Sequence, residues 1–228
     1  MIITEPKPFE DILEMLADVD EVSIIGCGRC AAASLTGGEK QVLQMADKLR
    51  AHGKTIVAEI VSDPAICYLP RSKEVIERLP KNGAVLVLAC GAGAQSILEV
   101  NPELLIFPGT NSRFLGMTAQ VGEYHEKCTL CGDCLLHLTG GICPLTRCPK
   151  NVLNGPCGDC VDGKCGISSS PFIKEEIDCV WALIYDRLKK IGKTEILSQT
   201  LPSRNWAAKT YKPQSIELSE EEIKQRGR

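Results

Sequence analysis

The apolar and polar positions in the first half of the chain follow two alternating periodicities. Short apolar runs, partly β-branched, predict four buried strands at residues 21–25, 55–61, 84–89 and 104–107. Amphipathic segments predict helices that begin at Pro8 or cover residues 38–52, 72–79 and 92–100. Because strands that alternate with helices form parallel sheets, we expect residues 1–116 to be an α/β domain with a flavodoxin-like parallel sheet covered on both faces.

Residues 117–200 begin with a stretch that follows neither periodicity and is rich in cysteine, glycine and proline. So little apolar surface cannot build a core, which predicts a small Cys-rich domain held together by bound metal. A helical stripe begins at Pro171 and predicts a helix that docks on this domain. Residues 201–228 are predicted to be a helical C-terminal arm or tail, with a capping box from Ser219 to Glu222.

Composition changes this picture through one residue type, because 13 of the 228 residues are cysteine. Hydrophobic residues at 44% and charged residues at 24% are otherwise ordinary for a globular protein. The first twenty residues are acidic and resemble no signal peptide, so we expect a cytoplasmic protein. In a reducing compartment, dense cysteine indicates metal binding or redox chemistry more than disulfides.

Two further classes of function are disfavoured by the same sequence. The most apolar stretch, residues 83–106, is broken by glycine, proline and charged residues, so no transmembrane segment is expected. A net charge of −3 and a pI near 5.7 provide no electrostatic footprint for nucleic acid.

Four cysteines follow the predicted strands of the α/β domain: Cys27, Cys30, Cys67 and Cys90. The carboxyl ends of parallel strands meet at one edge of a sheet, so these thiols are expected to converge there. Four thiolates suit one four-coordinate centre, either a [4Fe–4S] cluster or zinc. Nearby glycines at positions 26, 28, 91 and 93 would let backbone amides approach the cluster sulfurs.

Other interpretations of these four cysteines stay open. Cys67 and Cys90 could be small buried apolar residues, and Cys27 with Cys30 could be a thioredoxin-like dithiol. The glycine turn that follows Cys90 and opens a helix could instead hold phosphate, although the full dinucleotide spacing is missing.

The second group of cysteines is denser and more specific. Three of its members form a CxxCxxC run, which bacterial ferredoxins use and which favours iron–sulfur over zinc. The eight candidate ligands would serve two centres, and sequence order does not assign them; they are Cys128, Cys131, Cys134, Cys143, Cys148, Cys157, Cys160 and Cys165. His125 and His137 are alternative ligands but more typical of surface groups, and Cys179 is predicted only to pack in a core. Basic neighbours could offset the charge of the centres: Lys127, Arg147, Lys150 and Lys164.

The segment TGGICPLTRCPKNVLNGPCGDCVDGKCGI, followed by CVWALIYDRLKKIG, resembles the C-terminal domain of one class of methylenetetrahydrofolate reductases. Residues 128–192 carry most of this similarity, and CGRC with LTGGEK extends it into the first domain. As a whole, the chain resembles the stand-alone MetV-type iron–sulfur subunits of these enzymes.

This resemblance implies an electron-transfer subunit with two or three [4Fe–4S] clusters and no catalytic residues of its own. It implies a MetF-type flavoprotein partner that holds FMN and makes 5-methyltetrahydrofolate, as in the one-carbon metabolism of acetogens. The expected electron donor is ferredoxin, an NADH-oxidising module or a heterodisulfide-reductase-like module. Two alternatives stay open: a zinc-binding assembly subunit of the same complex without a redox role, and a protein that binds a small cofactor for substrate or methyl transfer.

Overall fold

A computed structural model describes residues 1–80, 83–209 and 218–221. The chain divides into two compact units, Met1–Thr129 and Leu130–Arg228. None of the helices in these described ranges combines the length and the apolar character that a membrane crossing requires.

A parallel sheet of four strands organises the first unit. Its strands are β2 (Glu21–Cys27), β3 (Thr55–Ser62), β4 (Ala84–Leu88) and β5 (Leu105–Pro108), in the order β3-β2-β4-β5. The chain crosses between them through α2 (Cys30–Ala33), α3 (Glu39–Ala51), α4 (Leu69–Ile76) and α5 (Gly91–Val100), and α1 (Phe9–Met15) precedes β2. The α/β class, the four parallel strands and the crossover helices are confirmed.

Helices cover both faces of this sheet because its strands are apolar on both sides. Ile24 of β2 lies in a core with α1 and α3, whereas Ile25 lies in a second core with α4 and α5. Both residues are fully buried. Every residue of β4 is buried, which explains its unbroken apolar sequence.

An antiparallel sheet of three strands, missed by the periodicity analysis, completes the first unit. Its strands are β1 (Ile2–Pro6), β6 (Thr110–Gln120) and β7 (Glu123–Cys128), in the order β1-β6-β7. Most of its side chains are exposed or half-buried, so the apolar alternation that marks a strand is weak. Regular structure therefore continues from residue 117 to Cys128, where an irregular Cys-rich segment was expected.

The second unit has little regular structure around one longer helix. Its α-helices and strands among the described residues are α6 (Pro144–Arg147), β8 (Cys160–Val161) and β9 (Lys164–Cys165), which form a two-stranded sheet, and α7 (Val180–Lys190). Three short 3-10 helices in the same described part of the chain cover Gly166–Ser169, Thr194–Ser198 and Trp206–Ala208. Helix α7 buries Trp181, Ile184 and Leu188 in a small core with Cys148 and Cys179. Helix α7 therefore packs against cysteines of the Cys-rich region.

The predicted start of that helix at Pro171 is wrong. Residues 177–179 pair with the β8–β9 sheet instead, since the Cys165 amide donates to the Ile177 carbonyl and the Cys179 amide donates to the Gly163 carbonyl. This pairing keeps the chain extended directly before Val180, and a turn occupies residues 171–172. The predicted capping box includes Glu222, which lies outside the described residues.

Candidate functional site

The first four candidate thiols lie at the ends of adjacent strands. Cys27 is the last residue of β2, Cys30 the first residue of α2, and Cys90 precedes the first residue of α5. Cys67 lies in the loop between β3 and α4, at the surface. The strands are parallel and neighbours, so their carboxyl ends open on the same edge, as the sequence predicts.

Cys67 interacts electrostatically with the other three thiols, which indicates that the four lie near one another. Burial raises the pKa of the Cys67 thiol, and repulsion from Cys90, Cys27 and Cys30 raises it further. A charge on Cys67 is thus opposed by three other sulfurs. Ionising neighbouring thiols together would require a cation or a cationic cluster among them. The set is therefore chemically suited to a metal group that binds through sulfur.

Close backbone packing fixes the position of the loop that follows α2, the short helix that begins at Cys30. A Cβ atom on Gly37 would lie 1.9 Å from the Leu88 carbonyl oxygen, and one on Gly26 would lie 2.3 Å from the Gly37 carbonyl oxygen. Only glycine fits where these segments cross, which explains the first glycine of the LTGGEK motif. Arg29 and Asp63 join the Cys30 loop to the loop after β3 through an exposed ion pair of 3.0 Å.

Two of the glycine amides expected to reach cluster sulfurs are engaged elsewhere. The Gly28 amide donates to the Ser62 carbonyl at 2.9 Å, and the Gly91 amide donates to Ser112 Oγ at 2.9 Å. These glycines therefore serve loop and helix geometry. Cys90 is the N-cap residue of α5, next to the positive end of the helix dipole.

No three His, Cys, Asp or Glu side chains within residues 1–80, 83–209 and 218–221 are arranged to hold a metal ion. Four ligands of one zinc ion lie about 3.8 Å from one another, as tetrahedral Zn–S bonds of about 2.3 Å require. Thiolates of a [4Fe–4S] cluster bind four different irons, so they are spaced more widely. Metal binding by either cysteine group stays a prediction.

A second group of thiols lies around the β8–β9 sheet of the second unit. Cys160 and Cys165 are direct cross-strand partners in this sheet. The charge of Cys157 raises the pKa of Cys160, and Cys148 lies in the same small core as Cys160. The Val152 amide donates to Cys148 Sγ at 3.4 Å, as expected around a metal-ligating sulfur.

Cys179 contacts this group, which the sequence interpretation missed. A hydrogen bond with Cys179 is the largest cause of the raised pKa of the Cys160 thiol. Cys179 is buried in the core beside Trp181, so the expectation that it packs there is confirmed. The sequence pattern placed Cys179 within a helix, where nothing indicated a neighbouring cysteine. In the structure Cys179 directly precedes α7, and its amide donates to the Gly163 carbonyl beside β9.

Two of the basic side chains expected to offset cluster charge are paired with carboxylates. Lys150 forms a short ion pair with Asp159, which is the main reason that the pKa of this lysine is raised. Lys164 lies 2.9 Å from Asp178 and 3.4 Å from Glu176. Neither lysine is a free positive charge next to the thiols.

The CxxCxxC run begins where β7 ends, at Cys128. Within the second unit, Arg204 Nη2 donates to Cys131 Sγ at 3.1 Å, and Cys134 is exposed. Thr146 Oγ1 donates to Cys143 Sγ at 3.4 Å. The periodicity of the sequence could not predict the contact between Arg204 and Cys131, because Arg204 lies in a segment without regular secondary structure.

The two histidines that were candidate ligands, His125 and His137, are both exposed. His125 pairs with Glu123 in β7, at 2.8 Å between Nε2 and Oε1. His137 is exposed in the turn region that precedes α6. Within the described residues, neither histidine is part of a group that could hold a metal ion.

Comparison with known proteins shows that part of the chain is similar to one protein family. A family model described as the C terminal of methylene-tetrahydrofolate reductase matches residues 107–207. This segment is similar to the C-terminal part of methylenetetrahydrofolate reductases. It contains all eight cysteines of the dense group and Arg204. Neither a curated protein nor a solved structure matches the chain.

Proposed function

We propose that the chain is a MetV-type iron–sulfur subunit of a cytoplasmic methylenetetrahydrofolate reductase complex. The observation that carries this proposal is the family match to residues 107–207, a segment in which eight cysteines replace most of an apolar core. The four thiols at the edge of the parallel sheet support a further centre in the first unit. Two or three [4Fe–4S] clusters would be held in this way.

The grouping of sulfurs in the second unit supports one assignment of ligands. Cys148, Cys157, Cys160 and Cys165 would hold one centre, because they lie around the β8–β9 sheet and its adjoining core. The CxxCxxC run and Cys143 would then provide the ligands of the other centre. In the first unit, the ligands would be Cys27, Cys30, Cys67 and Cys90.

The clusters, when bound, would take up and release single electrons. The chain's residues would hold them rigidly, exclude water at the buried Cys27 and Cys90, and leave Cys67 at the surface towards a redox partner. The donor would be ferredoxin, an NADH-oxidising module or a heterodisulfide-reductase-like module. Two single-electron transfers, with two protons from solvent, would reduce the flavin of a MetF-type partner, which then makes 5-methyltetrahydrofolate.

A rapid-mixing experiment tests this relay. The chain is purified anaerobically, reduced, freed of reductant and mixed with an oxidised MetF-type flavoprotein. We expect the flavin absorbance to bleach by one flavin for every two electrons carried, and chain stripped of iron to leave the flavin oxidised. A colourless chain with stoichiometric zinc would support the assembly subunit instead, and an iron-loaded chain that leaves the flavin oxidised would overturn the relay.

A further inference from the structure

A buried arginine contacts one of the thiols of the CxxCxxC run. Arg204 is only 6% exposed at its side chain, an unusual position for a permanently charged group. Its Nη2 donates to Cys131 Sγ at 3.1 Å, and its Nη1 lies 3.1 Å from Asp133 Oδ2. Nη2 also donates to the Asp133 carbonyl oxygen. The guanidinium therefore joins a sulfur, a carboxylate and the backbone of one loop.

One donor of this guanidinium has no acceptor in the structure. Arg204 Nε is buried, and no hydrogen-bond acceptor for it lies among the residues that the structure describes. An unpaired buried donor next to a charged group is costly. A cluster ligated by Cys131 would supply inorganic sulfides, which accept hydrogen bonds.

The segment that carries Arg204 is held against the CxxCxxC loop by close backbone packing. Gly132 has a φ of +84°, and a Cβ atom at this residue would lie 2.7 Å from the carbonyl carbon and oxygen of Ala208. Two hydrogen bonds, of 2.9 and 2.7 Å, join the Asn154 side chain to the Leu201 backbone just upstream. The chain is therefore held in place before Arg204, at Leu201, and after it, at Ala208.

We propose that Arg204 is a positioning residue that raises the reduction potential of the centre ligated by Cys131. This inference rests on the proposed iron–sulfur function. Adding one electron to the centre makes it more negative by one charge, and the electron comes from a one-electron donor of low potential. A buried positive charge that donates to the ligand sulfur stabilises the more negative, reduced state. Lys150 and Lys164 pair with Asp159 and Asp178, whereas Arg204 donates to a cysteine sulfur as well as pairing with a carboxylate.

The test compares reduction potentials among three variants of the full chain, loaded with iron. Arg204→Gln removes the charge and the guanidinium fork, and Arg204→Lys keeps the charge without the fork. Arg187→Gln is the matched control, because Arg187 is an arginine of the same unit whose Nε donates to the Gly140 carbonyl at 3.3 Å. Each midpoint is measured by redox titration followed by electron paramagnetic resonance, alongside iron and sulfide content.

We expect Arg204→Gln to decrease the ratio of reduced to oxidised centre about tenfold at one poised potential, equivalent to about 59 mV for a one-electron couple. Arg204→Lys should fall between this variant and wild type, and Arg187→Gln should match wild type. Full iron content with an unshifted midpoint in Arg204→Gln would overturn the inference while leaving the proposed function intact. Wild-type chain without iron and sulfide would overturn both.

If Arg204→Gln does not retain its iron, a second variant tests the effect of Arg204 on the reduction potential. Asp133→Asn leaves Arg204 in place and removes the carboxylate that neutralises it. The arginine charge then acts more strongly on the sulfur, so the midpoint should rise. A midpoint equal to that of wild type would overturn the inference.

Discussion

Cys90 precedes α5 at the carboxyl edge of the parallel sheet, where the pKa of Cys67 is raised partly by the charge of Cys90. The cluster proposed at this edge needs four thiolates and would not be retained with three. Cys90→Ala should therefore lose about four irons per chain, the content of one cubane centre, and keep the iron of the second unit. Iron and sulfide analysis of the anaerobically purified variant measures this loss.

Cys179→Ala is the control for this prediction, because it removes a buried cysteine that is not among the proposed ligands. It should retain full iron content even though its thiol is hydrogen-bonded with Cys160. Loss of all iron in Cys90→Ala would contradict the assignment of separate centres to the two cysteine groups.

Individual residues also show where sequence reasoning ends. The convergence of Cys27, Cys67 and Cys90 could be predicted, because parallel strands place their ends at one edge. The contacts of Cys179 and Arg204 could not, since each depends on how an irregular segment folds back. Such segments carry no periodicity, and only their long-range partners fix their paths.

At the scale of elements, Gly37 is the point where the loop after α2 crosses β2 and β4. A methyl group here would lie 1.9 Å from the Leu88 carbonyl oxygen and 2.8 Å from Ala31 Cβ. Gly37→Ala should lower the free energy of unfolding by about 1–3 kcal/mol or more, because backbone must move to make room. Denaturant unfolding followed by far-ultraviolet circular dichroism measures the change.

Gly91→Ala is the matched control for Gly37→Ala. It adds the same methyl group at the first residue of α5, where the nearest atom, Ser112 Oγ, lies 3.8 Å away. Alanine also costs about 0.5–1 kcal/mol less than glycine in a helix, so this variant should be as stable as wild type or slightly more stable. Equal destabilisation by both substitutions would contradict the packing described at Gly37.

The accuracy of the element predictions followed the continuity of the apolar sequence. All four parallel strands were predicted to within two residues of their ends, because each is a short and nearly continuous apolar run. The antiparallel strands β6 and β7 were missed, as their side chains are largely exposed and mix polar with apolar residues. The start of α7 was misplaced because Ile177 has the helical spacing of α7 but lies in the extended stretch that pairs with β9.

At the scale of the molecule, the two units differ in what stabilises them. The first unit contains two apolar cores on opposite faces of its sheet, whereas the second contains one small core around α7. Removing metal with a chelator under anaerobic conditions should therefore unfold the second unit and spare the sheet. Both tryptophans, Trp181 and Trp206, belong to the second unit, so their fluorescence reports on it alone.

We expect the tryptophan emission to shift to that of solvent-exposed indole after chelation, while far-ultraviolet circular dichroism retains the signal of the first unit. Buried Trp181 should account for most of this shift, because Trp206 is already 59% exposed. An apo chain with native emission and an unchanged thermal transition would contradict metal as the main stabiliser of the second unit.

Measuring iron, sulfide and zinc in the anaerobically purified complex decides whether both cysteine groups hold iron–sulfur centres. We expect equal amounts of iron and sulfide, about four of each per centre and two or three centres per chain, with little zinc. Stoichiometric zinc without acid-labile sulfide would contradict this expectation.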